Sequence, residues 1–158
     1  MALAAWICSL SASCGEFDPT ARDAALAQRF EMDRAGFQGA VDLMTAEPMI
    51  QSVDLATDGS FVVQPANAEQ GRVQVLVDFM EKQDIEHIGA SPTGAVGFNM
   101  YGSGIGASGQ AKSILFSQSP PDGLIVPDTD VEMAKQQDQW RVVSRRLDEN
   151  WYIENSCC

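Results

Sequence analysis

Residues 140–155 read WRVVSRRLDENWYIEN, and this stretch is the strongest indication of the fold. Residues 140–147 and 150–155 are rich in aromatic and β-branched side chains, and they flank the polar pair Asp148-Glu149. Two runs of this kind around a two-residue polar turn predict an antiparallel β-hairpin. With this pair as the loop, two arginines would stack on aromatic rings of the opposite strand: Arg146 on Trp151, and Arg145 on Tyr152.

Several segments before this hairpin also have the composition of short strands. Their β-branched and aromatic residues occur in short runs bounded by glycine, proline or aspartate. The predicted strands are a pair within residues 49–64 that turns at Asp58-Gly59, an extended segment through Ile85 and Ile88, residues 94–101, residues 111–118 and residues 124–126. Short strands joined by short connections favour antiparallel pairing.

A first helix is predicted between Pro19 and Pro48. Asp18 can act as its N-cap, and Pro19 suits the first helical position. Proline disfavours helical geometry in the residue before it, so the helix should end before Pro48. Apolar residues at helical spacing give it one buried face: Leu26, Phe30, Phe37, Val41 and Met44.

A second helix is predicted after Asn67, which can cap it with Gln70 as a reciprocal partner. Its apolar residues again recur at helical spacing: Val73, Leu76, Val77 and Met80. The acidic stretch of residues 128–138 is predicted to be a brief helix or a loop. The elements together predict an α+β fold, with two N-terminal helices packed on one face of a mainly antiparallel sheet that ends in the C-terminal hairpin.

Composition excludes several classes of function. The chain has 158 residues, with 10 Lys and Arg against 22 Asp and Glu, for a formal net charge of -12. A nucleic-acid partner is not expected, because binding a phosphate backbone needs a cationic face. The chain contains one histidine, so a site that needs two is excluded.

The first fifteen residues, MALAAWICSLSASCG, carry no charged side chain, and the first charge is Glu16. The apolar run of residues 2–10 is too short to span a bilayer as a helix, which takes about 20 residues. It suits the apolar core of a secretory signal. Small residues then precede Cys14, which suits recognition by a signal peptidase.

This segment resembles the signal peptide and lipobox of bacterial lipoproteins. The resemblance implies that residues 1–13 are a signal peptide, and we expect its basic end to lie upstream of Met1. It also implies cleavage before Cys14 and lipidation of this cysteine, which places the protein in the cell envelope, facing the periplasm. Residues 14–18 would be a tether, and residues 19–158 one acidic globular domain. An ordinary cleaved signal, and an apolar first element of a cytosolic domain, remain as alternatives.

Two groups of residues partly match motifs of known chemistry, and each also has a structural explanation. Gly104, Gly106 and Gly109 match a dinucleotide-binding pattern, but the segment that follows is too short for the required helix and strand, which favours a hairpin connection. Acidic residues alternate as in a calcium loop, but without its glycine and its final glutamate, which favours a solvated loop: Asp128, Asp130 and Glu132.

His87 has no serine motif of the hydrolase type beside it, so a catalytic role is not expected. Cys157 and Cys158 would be the only thiols left in a processed lipoprotein. They could form a vicinal disulfide, link two chains, or lie in a frayed tail. We therefore expect a binding or structural domain without a cofactor or a metal, and a soluble small-molecule or peptide-binding module or an unmarked enzyme are the alternatives.

Overall fold

Within the part of the chain that the structure describes, eight strands form one mixed sheet, and four helices accompany it in an α+β arrangement. The computed structural model describes residues 21–46, 50–56, 58–105, 108–135 and 141–157. Three predictions lie outside these residues: the signal peptide and tether of residues 1–18, the lipidated Cys14, and the helix start at Asp18-Pro19. No described helix is long and apolar enough to cross a membrane.

The strand order in the sheet is β2-β1-β3-β4-β5-β8-β7-β6. All neighbours are antiparallel except β6 and β7, which are parallel. The strands are β1 (Ser52–Leu55), β2 (Phe61–Gln64), β3 (His87–Ala90), β4 (Val96–Ile105), β5 (Ser108–Phe116), β6 (Leu124–Ile125), β7 (Arg141–Asp148) and β8 (Trp151–Cys157). The prediction of a mainly antiparallel sheet is confirmed.

The C-terminal hairpin is confirmed as β7 and β8, but its predicted register is wrong. Arg146 lies opposite Tyr152, and Asp148 lies opposite Trp151, with a register shift between the two pairs. The extra residue in β7 is a bulge that moves the turn toward Asn150. The predicted arginine–aromatic pairs are therefore offset by one residue.

The glycine-rich stretch joins β4 to β5, as predicted. The two strands are antiparallel, and Gly104 lies opposite Gly109, so most of the glycines belong to the strands themselves. A dinucleotide site would need β4 to be followed by a helix and then by a strand parallel to β4. The antiparallel pairing excludes that arrangement here.

The helices are α1 (Asp23–Met32), α2 (Arg34–Thr45), α3 (Gln70–Gln83) and α4 (Thr129–Ala134). The predicted end before Pro48 is confirmed by Thr45, whereas the predicted cap at Asn67 is wrong. Glu69 occupies the N-cap position of α3, and its side chain makes no capping hydrogen bond. The acidic stretch contains the short helix α4.

The predicted first helix is two helices, because Asp33 leaves helical geometry with φ -139°. Its carboxylate accepts hydrogen bonds from Lys82 Nζ at 2.6 Å and Gln83 Nε2 at 2.7 Å, at the end of α3. The Asp33 carboxylate can take this position because residue 36 is a glycine. A Cβ on residue 36 would lie 2.7 Å from Asp33 Oδ1. The hydrogen bonds of Asp33, at the break between α1 and α2, thus link both helices to the end of α3.

Aromatic rings form the centre of the main core. Phe37 of α2 is fully buried, and its ring centroid lies 5.7 Å from Phe30, 5.1 Å from Phe79, 5.2 Å from Phe98 and 6.2 Å from Trp151. Tilted and edge-on aromatic pairs add stability beyond the area they bury. This ring therefore joins three helices to the sheet.

We expect Phe37→Ala to lower the free energy of unfolding by about 3–5 kcal/mol, because it opens a cavity at the centre of the core. Phe61→Ala is the matched control, since Phe61 is 42% exposed on β2. Chemical denaturation of both variants measures the difference. A similar loss in both variants would contradict the placement of Phe37 at the core centre.

Candidate functional site

The most distinctive polar feature is a fully buried lysine on β5. Lys112 has 0% side-chain exposure, and its Nζ lies 2.7 Å from Asp23 Oδ1. The same Nζ also pairs with Asp130 Oδ1. A buried ammonium loses its hydration, so it is stable only when carboxylates and hydrogen bonds replace the water.

Two helix N-termini supply these carboxylates. Asp23 is the first residue of α1, and Asp130 lies in the first turn of α4. Thr129 donates to Asp23 twice, from its backbone N–H at 2.8 Å and from its hydroxyl at 2.5 Å. Asp23 N donates in turn to Asp130 Oδ2 at 2.8 Å. The acidic side chains also lie at the positive ends of the helix dipoles.

Strands β8 and β7, which follow β5 in the sheet order, extend this buried ion cluster. Arg145 of β7 places Nη1 3.7 Å from Asp23 Oδ2. Asn155 of β8 lies opposite Lys112 in the register, and its Nδ2 donates to Thr129 Oγ1 at 3.5 Å. The cluster therefore joins α1, α4 and three strands through contacts far apart in sequence.

The protonation state of Asp23 follows from these contacts. Burial by itself raises the pKa of Asp23, but hydrogen bonds from Lys112 and Thr129, with the charge of Lys112, hold that pKa below its ordinary value of 3.8. Asp23 is thus the charged partner of Lys112 at neutral pH.

The carboxylates of Asp23, Asp128 and Asp130 lie close enough to hold a metal ion, with ligand atoms within 4.8 Å of one another. The Lys112 ammonium already contacts two of these carboxylates, and Asp128 Oδ1 accepts a hydrogen bond from Val131 N at 2.9 Å. The existing cation and donors therefore account for the acidic residues as a structural site.

The alternating acidic residues that resemble a calcium loop also have structural roles. Asp128 caps α4, Asp130 pairs with Lys112, and Glu132 pairs with Lys135 Nζ at 2.8 Å and Arg141 Nη2 at 3.4 Å. The prediction of a solvated acidic loop is wrong, because these residues start a helix and neutralise neighbouring cations.

His87 lies at the other end of the sheet and has a carboxylate partner that the sequence did not reveal. Its Nδ1 lies 2.7 Å from Asp54 Oδ1, on the adjacent strand β1. A Cβ at Gly89 would lie 2.6 Å from Nε2, so the ring extends along β3. Asn99 separates His87 from Ser113 in the register, so this serine lies two strands away from His87.

Glu154 of β8 is a second unusual carboxyl. It lies between Ser113 of β5 and Ser144 of β7 in the register. Burial raises the pKa of Glu154 above its ordinary value of 4.5. The fully buried hydroxyl of Ser144 has no hydrogen-bond partner among the described residues.

Cys157 is not part of a frayed tail. It is the last residue of β8, is 2% exposed, and packs in a small apolar cluster with Val126, Met133 and Val143. It is disulfide-bonded, and the cysteine at the other end of the bond lies outside the described residues. Cys14, the predicted lipid acceptor, lies outside them too.

An open groove of about 480 Å³ runs along α1 to the end of α3. Its polar groups contact one another: Arg29 Nη1 donates to Gln83 O at 2.8 Å, and Lys82 pairs with Asp33. The lining residues are Ala25, Gln28, Arg29, Met32, Asp33, Lys82 and Gln83.

Comparisons with models of protein families, with curated proteins and with solved structures found no match.

We expect Lys112→Met to lower the free energy of unfolding at neutral pH by about 3–5 kcal/mol, since it removes the ammonium that pairs with the buried Asp23 and the partly exposed Asp130. Lys135→Met is the matched control. Lys135 is 61% exposed in its pair with Glu132, and loss of such a surface pair costs about 0–1 kcal/mol. Denaturation of both variants measures the difference.

The loss in free energy of unfolding caused by Lys112→Met should become smaller as the pH is lowered. Without the lysine, burial favours the neutral acid of Asp23 in the folded state. The folded pKa of Asp23 then lies above the unfolded one, and stability is regained as the pH falls toward the unfolded value of 3.8. Equal deficits at neutral and acidic pH would contradict the ion cluster.

We expect Glu154→Gln to raise stability at neutral pH. The raised pKa means that ionised Glu154 destabilises the fold, and this loss grows as the pH rises above the unfolded value of 4.5. The variant and the natural chain should therefore converge below that pH. Unfolding curves across the acidic and neutral range measure it, and a variant less stable than the natural chain at neutral pH would contradict the assignment.

Proposed function

We propose that the protein is a cell-envelope lipoprotein, whose acidic α+β domain acts by binding or as a structural component and not by catalysis. The observation that carries the proposal is the uncharged segment of residues 1–15, in which small residues precede Cys14. Lipid attached to Cys14 would hold the domain at the membrane, facing the periplasm.

The position of the first helix supports this arrangement. Helix α1 begins at Asp23, so cleavage before Cys14 would leave every described helix and strand in the mature protein. The net charge of -12 opposes adsorption to anionic lipid, so the anchor would provide the attachment. Each buried acyl methylene contributes about 0.8 kcal/mol, and stable attachment needs more than one chain.

We further infer that the two predicted N-terminal helices, the first present as α1 and α2 and the second as α3, pack on one face of the sheet. The ring centroid of Phe79 of α3 lies 6.2 Å from that of Phe98 of β4. Phe30 of α1 and Phe37 of α2 both contact Trp151 of β8, with centroids 4.9 Å and 6.2 Å away. Trp151 also contacts Phe98 of β4 and Phe116 of β5. These contacts favour a single aromatic layer between the helices and the sheet.

The ion cluster supports a non-catalytic domain. Its lysine is inaccessible to solvent, and its carboxylates are bound to helix termini and to Lys112, so the groups that look most like an active site stabilise the fold instead. A soluble small-molecule-binding module is the second candidate. The groove beside α1 favours it, because its volume of about 480 Å³ lies in the range of ligand pockets.

The disulfide gives the lipoprotein proposal a specific consequence. Removal of residues 1–13 and acylation of Cys14 would leave Cys157 and Cys158 as the remaining thiols. Cys157 should then pair with Cys158, or with a second chain, in the oxidising envelope.

The intact mass of the native protein, taken from membrane and soluble fractions, tests the proposal. We expect a membrane-bound species that lacks residues 1–13 and carries acyl groups on Cys14. Cys14→Ala should abolish cleavage, acylation and membrane attachment, whereas the control Cys158→Ala should retain all three. A soluble natural protein whose mass shows that it retains residues 1–13 without acyl groups would rule the proposal out.

A further inference from the structure

We propose that the outer edge of β2 binds an extended, basic segment of a partner protein, which would add a ninth strand to the sheet. This inference concerns residues 51–69 and does not depend on acylation of Cys14. It begins with the position of β2, which is the first strand in the sheet order and pairs with β1 on one side. Among the described residues, no strand pairs with its other side.

The backbone of β2 presents hydrogen-bonding groups to this open side. Ala56 N donates to Ser60 O at 2.8 Å, and Gln51 N donates to Gln64 O at 2.6 Å. Residues in an antiparallel ladder alternate between facing the partner strand and facing away from it. Phe61 and Val63 therefore direct their backbone N–H and C=O groups outward.

The side chains do not protect this edge. Natural sheets usually shield an open edge with lysine, proline, a bulge or a covering element. Strand β2 carries no charged residue, and Phe61 and Val62 are 42% and 62% exposed. Val63 lies opposite the buried Val53 and packs against the core, so an added strand could extend that core.

Charge identifies the occupant. Residues 51–69 contain no lysine or arginine. Of their three acidic residues, Asp54 pairs with His87 Nδ1 at 2.7 Å and Glu69 pairs with Arg72 Nε at 3.1 Å, whereas Asp58, in the turn before β2, accepts hydrogen bonds from Ser60. A second copy of this chain would bring two such acidic regions together, in molecules of net charge -12, and would be repelled. A partner strand with apolar residues on the core side and lysine or arginine on the other would be attracted.

A short peptide of alternating valine and lysine is the probe, and hydrogen exchange of the full chain is the measurement. In the free protein the Phe61 and Val63 amides should exchange faster than the Val62 amide, which faces β1. At a peptide concentration about ten times its Kd, exchange at Phe61 and Val63 should slow by about tenfold. A peptide with its valines and lysines in two blocks, and one of alternating valine and glutamate, should not protect them.

Two variants locate the binding. Val63→Pro removes an outward N–H but no bond to β1, so it should abolish protection while the fold is retained. Val62→Lys adds a charge at the edge and should weaken peptide binding at least several-fold. Val75→Lys is the matched control, because Val75 is 54% exposed on α3, and its variant should bind almost normally.

Each other outcome would overturn the proposal. Equal weakening by Val62→Lys and Val75→Lys, or equal binding of the blocked peptide, would indicate general electrostatic attraction. Binding without protection of Phe61 and Val63 would place the peptide elsewhere. Protection that increases with protein concentration alone would identify a second copy as the occupant.

Discussion

The pairing of Lys112 with Asp23 and Asp130 is the interaction on which the arrangement of the C-terminal half depends. An ammonium group without solvent contact is costly unless charged partners surround it. Its partners come from the first turns of α1 and α4, so both helices must begin where their carboxylates reach β5. A shift of either helix by one turn would leave a buried charge unpaired, which makes the cluster a constraint on position as well as a source of stability.

Local sequence patterns predicted the helices and strands of this protein well, but they did not predict the contacts between these elements. The β7–β8 hairpin, the strand pair around Asp58-Gly59 and the buried faces of the helices follow from residues close together in sequence, and the structure has all of them. The break at Asp33 was not predictable, because it depends on Lys82 and Gln83 at the end of α3. The bulge in β7 was missed because no glycine or proline marks it.

The ion cluster was missed for the same physical reason. Asp23 and Thr129 are 106 residues apart, and nothing near Lys112 indicates that its side chain is buried. A lysine in a strand is ordinarily assigned to the solvent side. The acidic alternation around Asp130 was visible, but only the fold shows that its cation is a lysine of the same chain. The pairing of Asp54 with His87, on neighbouring strands, was hidden in the same way.

Acidic residues have different roles at the two ends of the sheet. Near β5, β7 and β8, acidic residues are balanced by Lys112, Arg141 and Arg145, so they hold the fold together. Near β2, no lysine or arginine occurs within residues 51–69, and strand β2 carries no charged residue at its outer edge. Strands are spaced by about 4.8 Å, so the four spacings from β5 to β2 separate these regions by roughly 19 Å. The ion cluster therefore does not extend to β2, and the strand that we propose would add at an edge that makes no contact with it.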